Sequence, residues 1–333
     1  MIFTNMYNLP YSMAVWLCDD EYDYYNDGTG KPHISATSLL KPTKQIILNQ
    51  RVDFDNIGRD VSDLVSSRAG TAIHTAIEHT WQNRERLERA LRKLNIPQKV
   101  VDRIVVNPSE EYLQANPACI PVYQEIRSSR EINGWVIHGK FDFIFNGQLE
   151  DVKTTSTFTY TKDLNADKYT LQGSIYRWLN PKLVTSDTVL INYVFNDWMK
   201  SKVGKDPTYP VSKVLPVHYD LMDEEATERF IKNKITELNR YKNAAEEDIP
   251  ACTKEELWQT DSSFKYYKDP TKRDRATRVF DSLAVAQSYK ATTGKGKGVV
   301  VEVPGQARAC VYCPAVTICK QAQNLISQGL LTI

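Results

Sequence analysis

The segment GKFDFIFNGQLEDVKTT, residues 139–155, constrains the fold more tightly than any other stretch. Asn146-Gly147 is the strongest two-residue hairpin signal, because a type I′ turn needs positive φ at both central positions. With that turn, Phe145 faces Gln148, Ile144 faces Leu149, Phe143 faces Glu150, and Asp142 faces Asp151. Side chains alternate across a strand, so Asp142, Asp151 and Lys153 share one face. Phe141, Phe143, Phe145 and Val152 take the other, which reads as core. Directly opposed residues stand about 4.5–5.5 Å apart at Cβ, where like charges destabilise. A cation between the two carboxylates relieves that repulsion, and oxygen-only ligands favour Mg²⁺, Mn²⁺ or Ca²⁺ over zinc. An Asp-x-Lys tripeptide alone is common on solvated strands; the paired Asp142 is what sets this one apart. The hairpin predicts a hard-metal site with an attendant lysine, and hence phosphate chemistry.

A chain of 333 residues can bury a sizeable core and hold one large domain or two smaller ones. Its 41% hydrophobic and 25% charged content are those of an ordinary globular protein. The net charge is +1, so any nucleic-acid binding must rest on a local groove and not on bulk charge. The first eighteen residues carry no charged side chain. Asn5, Asn8 and Pro10 interrupt them, no basic segment precedes them, and the apolar run is too short for a membrane span. A buried N-terminal segment and a cytoplasmic location are expected, in the host cell if the chain is phage-encoded.

Residues 35–50 read as a loop entering a helix, and a second helix runs from about Ser66 to Gln82. A third, NRERLERALRKL, sets Leu87, Leu91 and Leu94 on one stripe with Glu85/Arg89 and Glu88/Arg92 at i,i+4. Strand patterns follow in VYQEIRSSRE, WVIHGKFDFIF and QLEDVKTT, then a helix, ADKYTLQGSIYRWL, and a strand, VLINYVFND. This order predicts an α/β fold with a mixed central sheet flanked by helices. A polar helix at about 222–246 closes the core. Beyond Pro250 the pattern changes to two short strands, a helix (LAVAQSYKAT), a Gly/Lys loop and a strand (VVVEV). We expect a core over 1–250, with an N-terminal helical region, and a small α+β module over 251–333.

Six cysteines are too few and too unevenly spread for a disulfide framework, and three of them cluster at Cys310, Cys313 and Cys319. Four thiolates at one centre would suit structural Zn²⁺ or an iron–sulfur cluster. Residues 264–275, FKYYKDPTKRDR, interleave aromatics with basic groups, as a strip that stacks bases and follows a backbone would, or as a solvated strand edge would.

Taken in order, these features resemble the RecB-like branch of the PD-(D/E)XK nuclease superfamily. Gly70 to His74 match its Gly-x-x-x-His helix, with Glu78 one turn beyond His74. Gly139 to Asp142 match Gly-x-x-Asp, Asp151 to Thr154 match Asp-x-Lys-Thr, and Gln172 to Tyr176 match Gln-x-x-x-Tyr; the likeness spans roughly residues 35–200. It implies that Asp142 and Asp151 hold Mg²⁺ or Mn²⁺, with His74 and the Val152 carbonyl as further ligands. Lys153 would orient or deprotonate a water, while Gln172 and Tyr176 position substrate and Glu125 stands behind them. The implied activity is a DNA exonuclease that leaves 5′-phosphates, of the kind that serves phage recombination, replication or repair with a single-strand annealing protein as partner. An endonuclease on the same fold and a catalytically silent DNA-binding subunit are the alternatives. Many such nucleases also hold a [4Fe–4S] cluster whose last three ligands are spaced as Cys310, Cys313 and Cys319 are. Their fourth ligand precedes the histidine helix, where SATSLLKPT has no cysteine. Cys252 is the expected replacement, Cys18 its rival.

Overall fold

The computed structural model describes residues 2–19, 25 and 28–333. The chain divides into two compact units, one of Met1–Leu40 with Gly58–Thr236 and one of Lys41–Ile57 with Glu237–Ile333. The second unit therefore takes in residues 41–57 and 237–250 as well as the 251–333 segment.

In the first unit the strands are β1 (Ile2–Thr4), β2 (His33–Ser35), β3 (Gly58–Asp60) and β4 (Ile104–Val106). Next come β5 (Ile120–Gln124), β6 (Arg127–Ile132), β7 (Trp135–Lys140) and β8 (Phe143–Phe145). The last three are β9 (Gln148–Thr155), β10 (Thr188–Phe195) and β11 (Val214–Asp220). Six of them form a mixed sheet in the order β11-β10-β9-β8-β5-β4, and a second sheet runs β2-β7-β6. In the larger sheet β10/β9 and β4/β5 are parallel and the other pairs antiparallel. Helices cover both faces. On one, Phe143 and Phe145 pack with Leu87, Ile104 and Val122, and Trp81 meets Phe143 edge-on at 4.9 Å. On the other, the helix Ala166–Leu179 lies over β10, with Tyr169 and Tyr193 rings 5.9 Å apart.

The hairpin forms as its turn residues demand. Asn146 and Gly147 have φ of 49° and 79°, and Phe145, Ile144 and Phe143 face Gln148, Leu149 and Glu150. A side chain at Gly147 would stand 2.1 Å from Thr185 Oγ1, so position 147 needs glycine for space as well as for φ. Leu149 and Asp151 are buried on β9 and register with the buried Val189 and Ile191 of β10. The core face of the sheet thus runs straight into the carboxylate.

Two expected long strands each break. VYQEIRSSRE divides into β5 and β6 at Glu125, a non-glycine residue at φ 53°, and WVIHGKFDFIF divides into β7 and β8 at Phe141-Asp142. The two breaks lie side by side, joined by the Glu125 amide donating to the Asp142 carbonyl at 3.2 Å. One strand pair therefore passes from the six-stranded sheet into the three-stranded one. The ladder ends at Phe143–Glu150, and Asp142 does not pair across from Asp151. It sits on the bend, free of the strand alternation. The N-terminal segment is another correction. Of the helix Tyr11–Cys18 only Leu17 is buried, against Val61 and Leu64, while Tyr7, Tyr11 and Val15 are exposed. Lack of charge there does not mean burial. β11 went unread because Pro216 interrupts it, which an edge strand tolerates.

In the second unit β12 (Ser263–Tyr267), β13 (Arg278–Phe280) and β14 (Val299–Val303) form an antiparallel sheet in the order β13-β12-β14. The helix Leu283–Ala291 covers it, burying Ala286 with Tyr266 and Phe280.

Gly147→Val should destabilise the chain by roughly 1–3 kcal/mol in urea unfolding, through positive φ and the Thr185 overlap. Asn146→Gly keeps the turn geometry and should leave the midpoint nearly unchanged. Equal stability of G147V and the parent would refute the turn assignment.

Candidate functional site

Asp151 is held on β9 by its pairing with Ile191 of β10, one residue past the point where the ladder to β8 ends. Its carboxylate is 5% exposed, a costly place for a charge unless cations compensate it. Lys153, two residues along on the same face, supplies one: its Nζ lies 2.7 Å from Asp151 Oδ2. That oxygen nevertheless accepts no aligned hydrogen bond. The other, Oδ1, accepts from Gln172 Nε2 at 3.3 Å. Burial, and then the charge of Asp142, push the Asp151 carboxyl up to about 6.

Asp142 reaches the same site from the bend. Its Oδ2 accepts the Val152 amide at 3.1 Å and lies 3.1 Å from His74 Nδ1. Burial presses its carboxyl upward, but His74, Lys153 and the Val152 amide outweigh it and leave it below the usual range. The hydrogen bond to Asp142 in turn raises the imidazole of His74 against burial. Burial opposes the charge on Lys153, yet Asp151 and Asp142 together raise its ammonium, so it stays cationic at neutral pH. A lysine held this way orients groups and stabilises negative charge; it is poorly placed to take up a proton.

His74 sits in the middle of the helix Val65–Gln82 and not at its start. Two glycines explain how the parts come so close. A Cβ on Gly70 would stand 3.2 Å from Thr154 Oγ1, bringing this helix onto β9. A Cβ on Gly139 would stand 2.6 Å from Tyr176 Cε1, so the ring occupies the space a side chain would fill. Tyr176 is 6% exposed and its hydroxyl accepts from Gln172 Nε2 at 3.4 Å. Burial, then Asp151 and Asp142, hold the phenol protonated well above its ordinary value. Tyr176 is a wall of the site and Gln172 its link to Asp151.

A cavity of about 620 Å³ opens beside these groups, lined by His74, Glu78, Glu125, Gly139, Asp142 and Tyr176 among others. Asp151, Lys153 and Gln172 do not line it. Glu125 is half-buried and pairs with Lys140 at 2.6 Å; burial raises its carboxyl despite that lysine. Arg68, Arg127, His138 and Lys140 also face the cavity and were missed from sequence. A signal for the helical part was there. Ser67, Arg68, Thr71, His74, Thr75 and Glu78 recur at three- and four-residue spacing, a polar stripe on one face of an amphipathic helix.

In the second unit, Cys252, Cys310, Cys313 and Cys319 all line one small cavity of about 30 Å³, with Lys44 beside them. Gln321 clamps Cys252 in place: its Oε1 accepts the Cys252 amide at 2.8 Å and its Nε2 donates to the Cys252 carbonyl at 2.9 Å. Cys18 lies in the first unit, against Leu17, Val61 and Leu64. Burial first, then Glu256 and the neighbouring thiols, push Cys252 up to about 12. Burial, then Cys313 and Cys319, push Cys310 up to about 11, and burial raises Cys313. Thiols whose ionisation is opposed in this way are poor nucleophiles, and a bound cation is what would reverse the penalty. Among the described residues no three His, Cys, Asp or Glu side chains converge closely enough to hold one ion, in either unit. The carboxylates are engaged by His74, Lys153 and Gln172 instead, and the thiols line a void.

No family model and no curated protein matches this chain. Among solved structures, the crystal structure of SSO0001 is similar over 65% of this chain and 78% of its own, at 16% identity and a TM-score of 0.36. A likeness that slight carries no argument about the site. No helix among the described residues is long and apolar enough to cross a membrane.

Cys252→Ser should abolish metal bound by the purified protein and lower the thermal midpoint, whereas Cys18→Ser should change neither. Elemental analysis with a melting curve reads both. Full metal content in C252S would remove Cys252 from the set.

Proposed function

We propose that this chain is a divalent-metal-dependent deoxyribonuclease of the RecB-like kind, acting as an exonuclease. The observation that carries the reading is the buried Asp151 with the half-buried Asp142 beside it, compensated by Lys153 and His74. Holding two carboxylates close together, one of them buried, is unfavourable for folding, and a hard cation would relieve it once the side chains turned from their present partners toward one point. His74, Asp142, Asp151 and the Val152 carbonyl would hold Mg²⁺ or Mn²⁺. When bound, the ion would polarise a phosphate and lower the pKa of a coordinated water.

The chain's own groups would supply the rest. Lys153, cationic beside Asp151, stabilises negative charge developing at phosphorus and orients the attacking water. Gln172 holds Asp151 in place, and Tyr176 with Gly139 shapes the wall along which a strand runs. In-line attack breaks the bond to the 3′ oxygen and leaves a 5′-phosphate. The cavity is of small-ligand size, which favours a strand end over an intact duplex. The single-strand annealing partner and a phage setting rest on the family resemblance. So does the [4Fe–4S] cluster on Cys252, Cys310, Cys313 and Cys319, with Zn²⁺ as the alternative.

Lys153→Ala should lower the rate of cleavage of end-labelled linear DNA by at least a hundredfold with little change in DNA affinity, since its charge acts mainly on the transition state. Asp151→Asn should also abolish cleavage. Closed circles should survive where linear duplex is degraded; rapid nicking of circles would move the assignment to endonuclease. Parent rates in both variants would overturn this site.

The pH dependence has a definite sign. With Asp151 raised to about 6, the folded chain keeps a proton between about pH 4 and 6 that the unfolded chain has lost. Metal-free stability should therefore fall as pH rises through that window, and Asp151→Asn should remove the decline. Mg²⁺ needs the ionised carboxylate, so its stabilising shift in thermal midpoint should be larger at pH 7.5 than at pH 5. An equal shift at both values would exclude Asp151 as a ligand.

A further inference from the structure

The sheet of the second unit gathers an unbalanced positive charge at one end. Residues 263–303 hold nine Lys and Arg against four Asp and Glu, a net of +5, so the rest of the chain sums to −4 against the total of +1. Register shows where that charge goes. Tyr266 pairs with Arg278 and Tyr267 with Val299, so the 268–277 loop and the 292–298 loop leave the sheet at the same end. Lys268, Lys272, Arg273 and Arg275 on the first loop and Lys295 and Lys297 on the second are all exposed. Among the described residues none of these six forms a salt bridge, and the nearby Asp269 is occupied by Thr271.

Both loops are built, not loose. Asp269 Oδ1 accepts the Thr271 amide at 2.9 Å, Thr277 Oγ1 accepts the Lys268 amide at 3.1 Å, and the Thr277 amide donates to the Tyr266 carbonyl at 2.8 Å. On the other side the buried Tyr266 donates its hydroxyl to the Lys297 carbonyl at 3.1 Å, while Lys295 takes φ 50°. The aromatics of this segment are spent on that framework. Tyr266 and Tyr267 are 2% and 7% exposed and Phe264 packs into the same small core. The base-stacking strip suggested by FKYYKDPTKRDR is therefore absent, and what remains at the surface is charge alone.

We propose that this end of the β13-β12-β14 sheet is a contact surface for the sugar–phosphate backbone of DNA, independent of base sequence. A row of cations outside any salt bridge, interrupted by the exposed Asp274 and with Arg273 Nε bonded to the Pro270 carbonyl, matches phosphates, and with no exposed aromatic partner it offers no stacking to bases. The proposal rests on the nuclease reading for its choice of DNA as the polyanion, but its test does not need cleavage.

The experiment measures binding of the full chain to a short blunt duplex in EDTA, across about 50–300 mM salt. The variant Lys272→Gln/Arg273→Gln/Arg275→Gln/Lys297→Gln should flatten the plot of log K against log salt by about 3–4 and weaken low-salt binding on the order of a hundredfold. A charge-matched control, Arg89→Gln/Lys93→Gln/Lys99→Gln/Lys205→Gln, should keep a slope near the parent's. An unchanged slope in the first variant, an equal loss in the control, or no DNA binding by the parent would each overturn the surface. So would a first variant that loses binding to phosphatidylserine vesicles while keeping DNA. Melting curves check folding, and Lys295→Gln/Lys297→Gln alone should still reduce the slope by about 2. Should the parent bind with the expected slope but show no Mg²⁺-dependent cleavage, the catalytic reading fails and this surface stands.

Discussion

The charge on Asp151 is the constraint around which the first unit is arranged. It lies on the core face of a central strand, on the same side as Leu149 and in register with Ile191, where a hydrophobic residue would be the stable choice. Lys153, Gln172 and, through Asp142, His74 are all explained by the need to compensate it. The compensation is incomplete, since Asp151 Oδ2 lacks an aligned donor and its carboxyl is pushed up to about 6. Perturbed, partly compensated carboxylates of this kind are a cost to folding and mark the cluster as the candidate site.

The bend at Glu125 and Phe141-Asp142 is the second device. Had the two long strands run on without a break, Asp142 would face Asp151 in the ladder at a fixed cross-strand distance. Breaking them transfers the strand pair to another sheet and releases Asp142 from alternation, so its carboxylate turns back onto the Val152 amide and meets His74. The positive φ of Glu125 is a local cost, of the kind that persists where surrounding contacts over-determine it. Here the surrounding contacts include the hydrogen bond that the Glu125 amide donates to the Asp142 carbonyl.

Much of this was legible in the chain, and the reasons differ residue by residue. The Asn146-Gly147 turn carries its own register, so three of four cross-strand pairs followed from it directly. The helix Ala166–Leu179 and the elements from Ser263 to Val303 were readable because their periodicity is short-range and bounded by turn residues. The strand breaks were not, since Glu125 and Asp142 carry no Gly or Pro signal and their conformations are set by tertiary pairing. The exposure of the Tyr11–Cys18 helix was equally hidden, because charge-free sequence says nothing about which face finds a partner. Arg68 and Thr71 belonged to a visible helical stripe; Arg127 and Lys140 did not, as alternating strand charges read as solvated until the sheets are placed.

Cys252 shows how the neighbour of a distant cysteine cluster can be found by a physical argument about chain geometry. Cys310, Cys313 and Cys319 fall within one short segment, and a fourth thiol has to arrive from elsewhere at a fixed point. A loop cysteine has no regular element to hold it, and Gln321 supplies the missing restraint by bonding both the amide and the carbonyl of Cys252. Gln321 follows Cys319 by two residues, so the same short segment carries three of the thiols and the clamp for the fourth. The clamp orders Cys252 by protein contacts alone, which would lower the entropy cost of binding any cation among the four thiols. Pre-ordering of this sort also raises the thiol pKa values by holding the sulfurs together in a buried place, and it is that strain which binding of a cation would relieve.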